Sequence, residues 1–573
     1  MYRPLRILST VVLLALLLAP AAGAQTVTFK PHEYTGGGQK TASELGELQV
    51  PENRTKPNSP KITLKFVRFK STAAKPGNPI VYLAGGPGGS GIGSAMGTRF
   101  PLFMALREFG DVIAWDQRGT NESGAKMLCD EPYVLAPNGV LTRASTSAMV
   151  EVVKKCADKL RASGVDVGAY NTRESAADLE DLRKALGAEK LILWGISYGA
   201  HLSAATLRYH PNTVERAIIA GIEGPDDTYK LPSDQQSLLE EIARLAWKDP
   251  KIRADVPDLL ASIRRVMVEL EQRPKSVTLT HPLNNQSMTL GLGKLDLQYA
   301  IAQMLFAPDT YYDLPDFIAR LERGDWLALA LVTAQNRVGT APSIMSVAMD
   351  CASGITAARK AVIAQEAPRT LLGDAINLPF PEICAAVNVA DAGDAFRGPV
   401  VSNVPVLLIS GTLDGRTRPR QAEELRLTLP NAQHLVIEGA GHSDPLFLSS
   451  PKILEAMKAF LRGEQIPERY VDAKPFTFVP VRKVATLSDE QLARYAGSYK
   501  AAQGTARIVK AGQVLYMIRP NSGPIALRPS SETEFFSDGL RYPVRFTLDA
   551  QQRAVAYDLL LTSGQEIHAV REP

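Results

Sequence analysis

The chain has 573 residues, 45% hydrophobic and 22% charged, with a formal net charge of +4. That is an ordinary globular composition, too apolar for bulk disorder and long enough for more than one domain. With no long basic run it also lacks the footprint of a nucleic-acid binder, so no nucleic-acid partner is expected.

In chain order, Arg3 and Arg6 precede an apolar stretch at 11–18, then Pro20 and Ala22-Gly23-Ala24. Residues 1–24 therefore read as a secretory signal peptide cleaved after Ala24, with an uncleaved anchor as the alternative. The stretch is short for a membrane span, and no later segment reaches the roughly 18 apolar residues that spanning needs. No stable span is expected after cleavage, which places the protein in the periplasm or outside the cell. An oxidising compartment permits disulfides, and Cys129 with Cys156 and Cys351 with Cys384 are the expected local pairs. Three connectivities are open to four cysteines, and free buried thiols are the alternative. No CxxC or HExxH spacing occurs, so no metal site is expected.

Residues 25–224 read as the first part of an α/β core, with strands at 62–69, 80–84 and 111–115 and a helix at 101–109. Ala177, Leu179, Leu182 and Leu186 then recur at helical spacing, and Gly187 is a stop signal. A buried-strand pattern at 191–194 runs directly into Gly195-Ile196-Ser197-Tyr198-Gly199, and helix-compatible residues follow to 209. Strand, tight turn and helix, with glycine two positions either side of the serine, is the pattern of a nucleophile elbow. Ser197 is the candidate nucleophile.

Another strand is expected at 214–220, followed by a largely helical insertion at 225–400 with segments at 255–271, 294–306 and 314–329. Such an insertion would cap the carboxyl edge of the sheet, where ligands bind in open α/β folds; a packing or dimerisation unit is the alternative. The core resumes at 401–485 with strands at 404–410 and 434–438. Residues 486–573 form short alternating runs punctuated by Gly504, Gly512 and Gly539, a small antiparallel β domain.

A serine hydroxyl needs a base within reach, and the base needs an acid to hold its tautomer. Asp414 and His442 each follow a strand end, in the order serine, acid, base. Of the seven histidines, His434 also follows Asp414 but opens its strand; Asp226 and Asp227 are rivals to Asp414. The run Ala84-Gly85-Gly86-Pro87-Gly88-Gly89 follows a strand, so the N–H groups of Gly86 and Tyr198 are the expected oxyanion donors. A dinucleotide-binding loop is a competing reading of this glycine-rich region with Asp116, but its spacing fits G-x-G-x-x-G poorly. A P-loop is excluded by the missing Lys-Ser/Thr ending. No cofactor is expected.

The segments LAGGPGGSG, WDQRG, NTRESAADLEDLRKALG, GISYG, GTLDGRTRP and GAGHS occur in this order. Over residues 45–465 the chain resembles the prolyl and tripeptidyl aminopeptidase family of α/β-hydrolases. The resemblance implies an α/β-hydrolase fold with a helical cap and hydrolysis of an amide bond near a peptide's free amino terminus. It places the catalytic serine, aspartate and histidine at Ser197, Asp414 and His442. In that family acidic residues in or near the cap bind the substrate ammonium, and Glu223, just past a strand end, is the candidate here. Asp116 and Arg118 are read as loop braces rather than reacting groups. Two departures bear on substrate choice: Ala84 stands where many prolyl members have His, and Gly119-Thr-Asn-Glu-Ser123 replaces their usual GTGxS. The region from LARYAGSYK onward resembles small domains appended to secreted hydrolases and β-lactamase-like enzymes. The expected substrate is a peptide, with a small ester as the alternative and a non-catalytic binding protein as the third reading.

Overall fold

The computed structural model describes residues 27–573 apart from 307–309, 341, 476, 521, 538–539 and 562–564. The leader at 1–24 therefore lies outside the described residues. The fold is an α/β-hydrolase, built on a ten-stranded sheet among the described residues. Its spatial order is Val27–Gly36, Gln39–Pro51, Lys61–Phe69, Val112–Trp115, Ile80–Leu83, Leu191–Ser197, Val214–Ile222, Val406–Gly411, Ala432–Glu438 and Tyr470–Asp472. The first four strands pair antiparallel, and from Val112–Trp115 onward every pairing is parallel.

The central strands read as unbroken apolar runs because both of their faces are covered. In the strand Leu191–Ser197, Ile192 and Trp194 join a core with Tyr82, Phe103 and Phe447, while Leu191 and Leu193 point to the opposite core with Leu83, Leu179 and Leu202. Helix Thr172–Ala185 is capped by the Asn171 side chain, which accepts from Glu174 N–H, and ends before Gly187 at φ 65°. The amino-terminal hairpin Val27–Gly36 and Gln39–Pro51 extends the sheet beyond the strands expected from sequence.

Between the strands Val214–Ile222 and Val406–Gly411 lies the helical insertion, with its own core built around Leu238, Ile242, Ile263, Leu297, Leu314 and Leu329. One expected helix is divided and another starts later than expected. The segment at 314–329 is split into Leu314–Glu322 and Trp326–Arg337, because Gly324 turns the chain at φ 87°. Leu259–Gln272 starts afresh after the short helix Pro250–Asp255, with the Asp258 carboxylate accepting from Ala261 N–H as its cap. A β-hairpin, Lys275–Thr280 with Ser287–Leu292, interrupts the helices and was not expected.

The carboxyl-terminal β domain is a closed eight-stranded barrel running from Gly497–Ala501 to Glu566–Arg571. Closure leaves no edge strand exposed, which answers the edge problem of a small sheet. The barrel leans on the insertion: Ala511, Val514 and Tyr516 pack on Leu327 and Leu331. Arg528 Nη2 donates to Asp325 Oδ1 at 2.7 Å, and Arg482 Nε donates to Asp316 Oδ2 at 2.8 Å.

Arg118 pins the sheet's edge to its helices. Fully buried, it donates through Nε and Nη2 to both Asp178 oxygens at 2.7 Å, and through Nη1 to the carbonyls of Glu52 at 2.6 Å and Ala169 at 2.8 Å. Replacing it by Met leaves Asp178 with only its Arg54 pairing at 2.7 Å and strips a donor from two buried carbonyls, so Arg118→Met is expected to cost about 3 kcal/mol. The readout is a lowered thermal unfolding midpoint by circular dichroism.

Candidate active site

The carboxyl ends of the parallel strands converge on a cavity of about 490 Å³, whose walls include Gly85, Gly86, Ser197, Glu223, Asp350 and His442. Ser197 ends its strand at φ 57°, ψ −120°, a region that L-residues avoid and that costs about 1–3 kcal/mol to hold. The geometry around it explains both glycines. A Cβ on Gly195 would meet the Gly199 carbonyl oxygen at 2.5 Å, and one on Gly199 would meet the Leu83 carbonyl oxygen at 2.0 Å. Without side chains at these positions the strand can turn sharply into helix Tyr198–Tyr209 and leave the hydroxyl at the cavity wall.

His442 lies in the loop after strand Ala432–Glu438, and its Nδ1 hydrogen-bonds Asp414 Oδ2 at 2.7 Å. Asp414 also accepts from the N–H groups of Arg416 and Thr417 and from Thr417 Oγ1, each at 2.8 Å. Burial alone would push this carboxyl up, yet the histidine and the amide donors hold it below the ordinary carboxylate value. An ionised Asp414 fixes the histidine with Nδ1 protonated and Nε2 free to take a proton. Room for the ring comes from Gly221, at φ 54°, where a Cβ would lie 2.9 Å from His442 Cε1. Arg99 steadies the same loop, donating to Ser443 Oγ at 2.9 Å and Asp444 Oδ1 at 2.7 Å. Among the described residues no hydrogen bond joins Ser197 to His442, although both face the cavity; such bonds commonly tighten only with substrate bound.

The rivals are occupied elsewhere. Asp226 accepts from Thr356, Asp227 pairs with Arg359 at 2.7 Å, and His434 is held between Ser410 and Glu423. Asp116 accepts from Ser90, Ile92 N–H and Asn121, so it braces the loop after strand Ile80–Leu83. That loop is closed by Gly89 N–H donating to the Gly85 carbonyl at 2.9 Å, and Gly86 sits at φ 127°. The Tyr198 side chain turns away, its hydroxyl 3.0 Å from Thr172 Oγ1. Its backbone N–H, in the first helical turn, has no intrahelical acceptor.

Glu223 lines the cavity but is committed to Lys230 Nζ at 2.8 Å. Asp350, which sequence reasoning missed, lines the same wall, and its carboxyl has no hydrogen bond or ion pair among the described residues. It belongs to helix Ile344–Ser353, whose Ser346, one turn earlier on the same face, donates to the Pro87 carbonyl at 2.6 Å. Nothing in the local sequence distinguishes Asp350 from a surface aspartate, because its role depends on that helix docking against the glycine loop. Cys351 beside it is bonded to Cys384, and Cys129 to Cys156, so both expected pairs are formed.

The α/β hydrolase fold family matches residues 78–254, and the TAP-like family matches residues 373–472. The chain is similar to peptidases of the α/β-hydrolase fold. It is 27% identical over 303 residues to serine protease Hip1 of Mycobacterium tuberculosis, covering 49% of this chain and 57% of Hip1. Similarity to tripeptidyl aminopeptidase of Streptomyces lividans is 28% over 228 residues, 36% of this chain and 40% of that protein. The chain thus spans about half the length of the curated relatives it matches.

Burial, followed by the charge of Glu223, raises the Asp350 carboxyl well above the ordinary value. An acid shifted upward on folding holds its proton more tightly in the native state, so native stability falls as pH rises from the ordinary carboxylate value through the raised one. Asp350→Asn removes that loss. The variant is expected to match the parent in thermal unfolding near about pH 4 and to exceed it by a growing margin as pH rises above that.

Proposed function

We propose that the protein is an exported serine peptidase of aminopeptidase type. The supporting observation is the sharing of one cavity by Ser197, the Asp414-held His442 and two carboxyl side chains, Glu223 and Asp350. Ser197 Oγ attacks the scissile carbonyl while His442 Nε2 takes its proton, and Asp414 stabilises the imidazolium that forms. The N–H groups of Gly86 and Tyr198 receive the developing oxyanion. His442 then protonates the leaving amine, and water releases the acyl group by the reverse sequence. Since Glu223 is paired with Lys230, Asp350 is the carboxyl left to receive a substrate ammonium. Export is supported by the leader-like amino terminus and the two disulfides. Among the described residues no helix is long and apolar enough to cross a membrane.

Ser197→Ala is expected to abolish labelling by a fluorophosphonate probe and to lower turnover by roughly 10⁴-fold or more. Retained labelling would overturn the assignment of the nucleophile. On a panel of aminoacyl and tripeptidyl amides against short-chain esters, blocking the substrate amine by acetylation should cost an aminopeptidase most of its kcat/KM. An enzyme indifferent to acetylation and faster on esters is an esterase instead. Asp350→Asn should raise KM for free-amine substrates about tenfold, with a smaller change in kcat. Equal effects on free and acetylated substrates would remove Asp350 from ammonium binding.

A further inference from the structure

Besides His442, three basic side chains line the cavity that holds Ser197: Arg99, Lys230 and Arg416. Two of them are committed. Arg99 donates to Ser443 and Asp444, and Lys230 Nζ donates to Glu223 at 2.8 Å and to the Asp227 carbonyl at 2.7 Å. Arg416 is not. Its backbone N–H donates to Asp414 Oδ1 at 2.8 Å, but its guanidinium makes no hydrogen bond or ion pair among the described residues. Asp350 on the same cavity is equally without a partner, so one acid and one base stand apart where Glu223 and Lys230 have closed on each other.

Arg416 is held in place without spending its donors. Gly415 before it is pressed against the Leu305 carbonyl, where a Cβ has no room, and Gln235 donates to the Gly415 carbonyl. The guanidinium carbon lies 4.0 Å from the centroid of the Phe306 ring, which lies in turn 5.7 Å from the His442 ring. Such a stack occupies the face of a guanidinium and leaves its in-plane N–H groups free. Of these, Nε is closed off against the wall, while the half-buried side chain keeps Nη1 and Nη2 accessible at the cavity. A fixed fork of two donors matches the two oxygens of a carboxylate, and the contact is charge-assisted. A single carbonyl oxygen would leave the positive charge unbalanced.

We propose that Arg416 is a specificity-determining residue that donates through Nη1 and Nη2 to a carboxylate of the substrate. With Asp350 receiving the ammonium, the cavity then favours short peptides that carry both charges close to the scissile bond. The carboxylate is the free carboxyl terminus of the peptide or an acidic side chain. This rests on the aminopeptidase reading above, which puts the peptide in this cavity.

The test measures binding by calorimetry to the full chain carrying Ser197→Ala. One arm compares Ala-Ala-Ala with its carboxyl-terminal amide and with its amino-acetylated form. The other takes the amide and places Glu or Gln at each position in turn. Amidation, or the exchange of Glu for Gln at one position, is expected to weaken binding about tenfold, and whichever does so identifies the carboxylate. The preference should disappear in Ser197→Ala combined with Arg416→Gln and persist in part with Arg416→Lys, which keeps the charge but not the fork. Unfolding midpoints report that the variants are folded. Binding indifferent to both changes overturns the proposal, as does a preference undiminished in the glutamine variant. A panel that binds in none of its forms removes the peptide reading and the role of Arg416 with it. The acetylated peptide reads the ammonium site separately. Loss on acetylation without any carboxylate preference refutes only the Arg416 site, whereas the reverse pattern keeps that site and refutes the aminopeptidase reading.

Discussion

The site depends on one backbone constraint, the sharp turn at Ser197. A non-glycine residue at φ 57°, ψ −120° persists only where its surroundings over-determine it. Here the overdetermination is steric: Gly195 and Gly199 come within contact of each other's backbone, and Gly199 is pressed against the Leu83 carbonyl of the neighbouring strand. Because Ile80–Leu83 and Leu191–Ser197 pair in parallel, the glycine loop after the first strand and the serine after the second emerge side by side. Gly85 lies so close that a Cβ there would meet Ser197 Cβ at 2.8 Å. One strained residue thus sets where the hydroxyl sits relative to the glycine loop and the cavity that His442 also lines.

Around that point the fold distributes labour among separately packed units. Ser197 ends one strand, and Asp414 and His442 lie in the short loops that follow two others, so strand pairing brings the three segments to the same edge of the sheet. The insertion has its own hydrophobic core and supplies the cavity's polar lining, including Asp350 and Gln303. Helix Ile344–Ser353 couples the two levels, since Ser346 grips the glycine loop while Asp350 faces the cavity one turn later. The barrel and the segment leading to it brace the insertion through ion pairs that, among the described residues, include Arg482, Arg320, Arg528, Asp313, Asp316 and Asp325. Buried ion pairs of this kind contribute specificity of docking more than net stability.

Elements with a strong local cause were legible from sequence. The central strands showed themselves as short apolar runs because both faces are buried, and helix Thr172–Ala185 showed its period and its stop. The elbow glycines were legible because close backbone approach admits nothing larger. Elements decided by partners were not. The hairpin Val27–Gly36 with Gln39–Pro51 is a half-exposed edge with few apolar positions. Gly324 ends one helix and admits another inside what read as a single periodic segment. Strands Ile525–Pro529 and Glu534–Ser537 are short, and they became visible only through the closure of the barrel.

By itself, then, the sequence determined the fold class and pointed to Ser197, Asp414 and His442 as candidates, because those follow from periodicity, turn sterics and strand ends. It could not choose between Asp414 and Asp226 or Asp227 by contact, nor show that Glu223 is already paired and Asp350 is not. Those distinctions were decided by tertiary structure. They depend on which side chains from distant segments approach within hydrogen-bonding distance, and a one-dimensional pattern carries no information about distances across the fold.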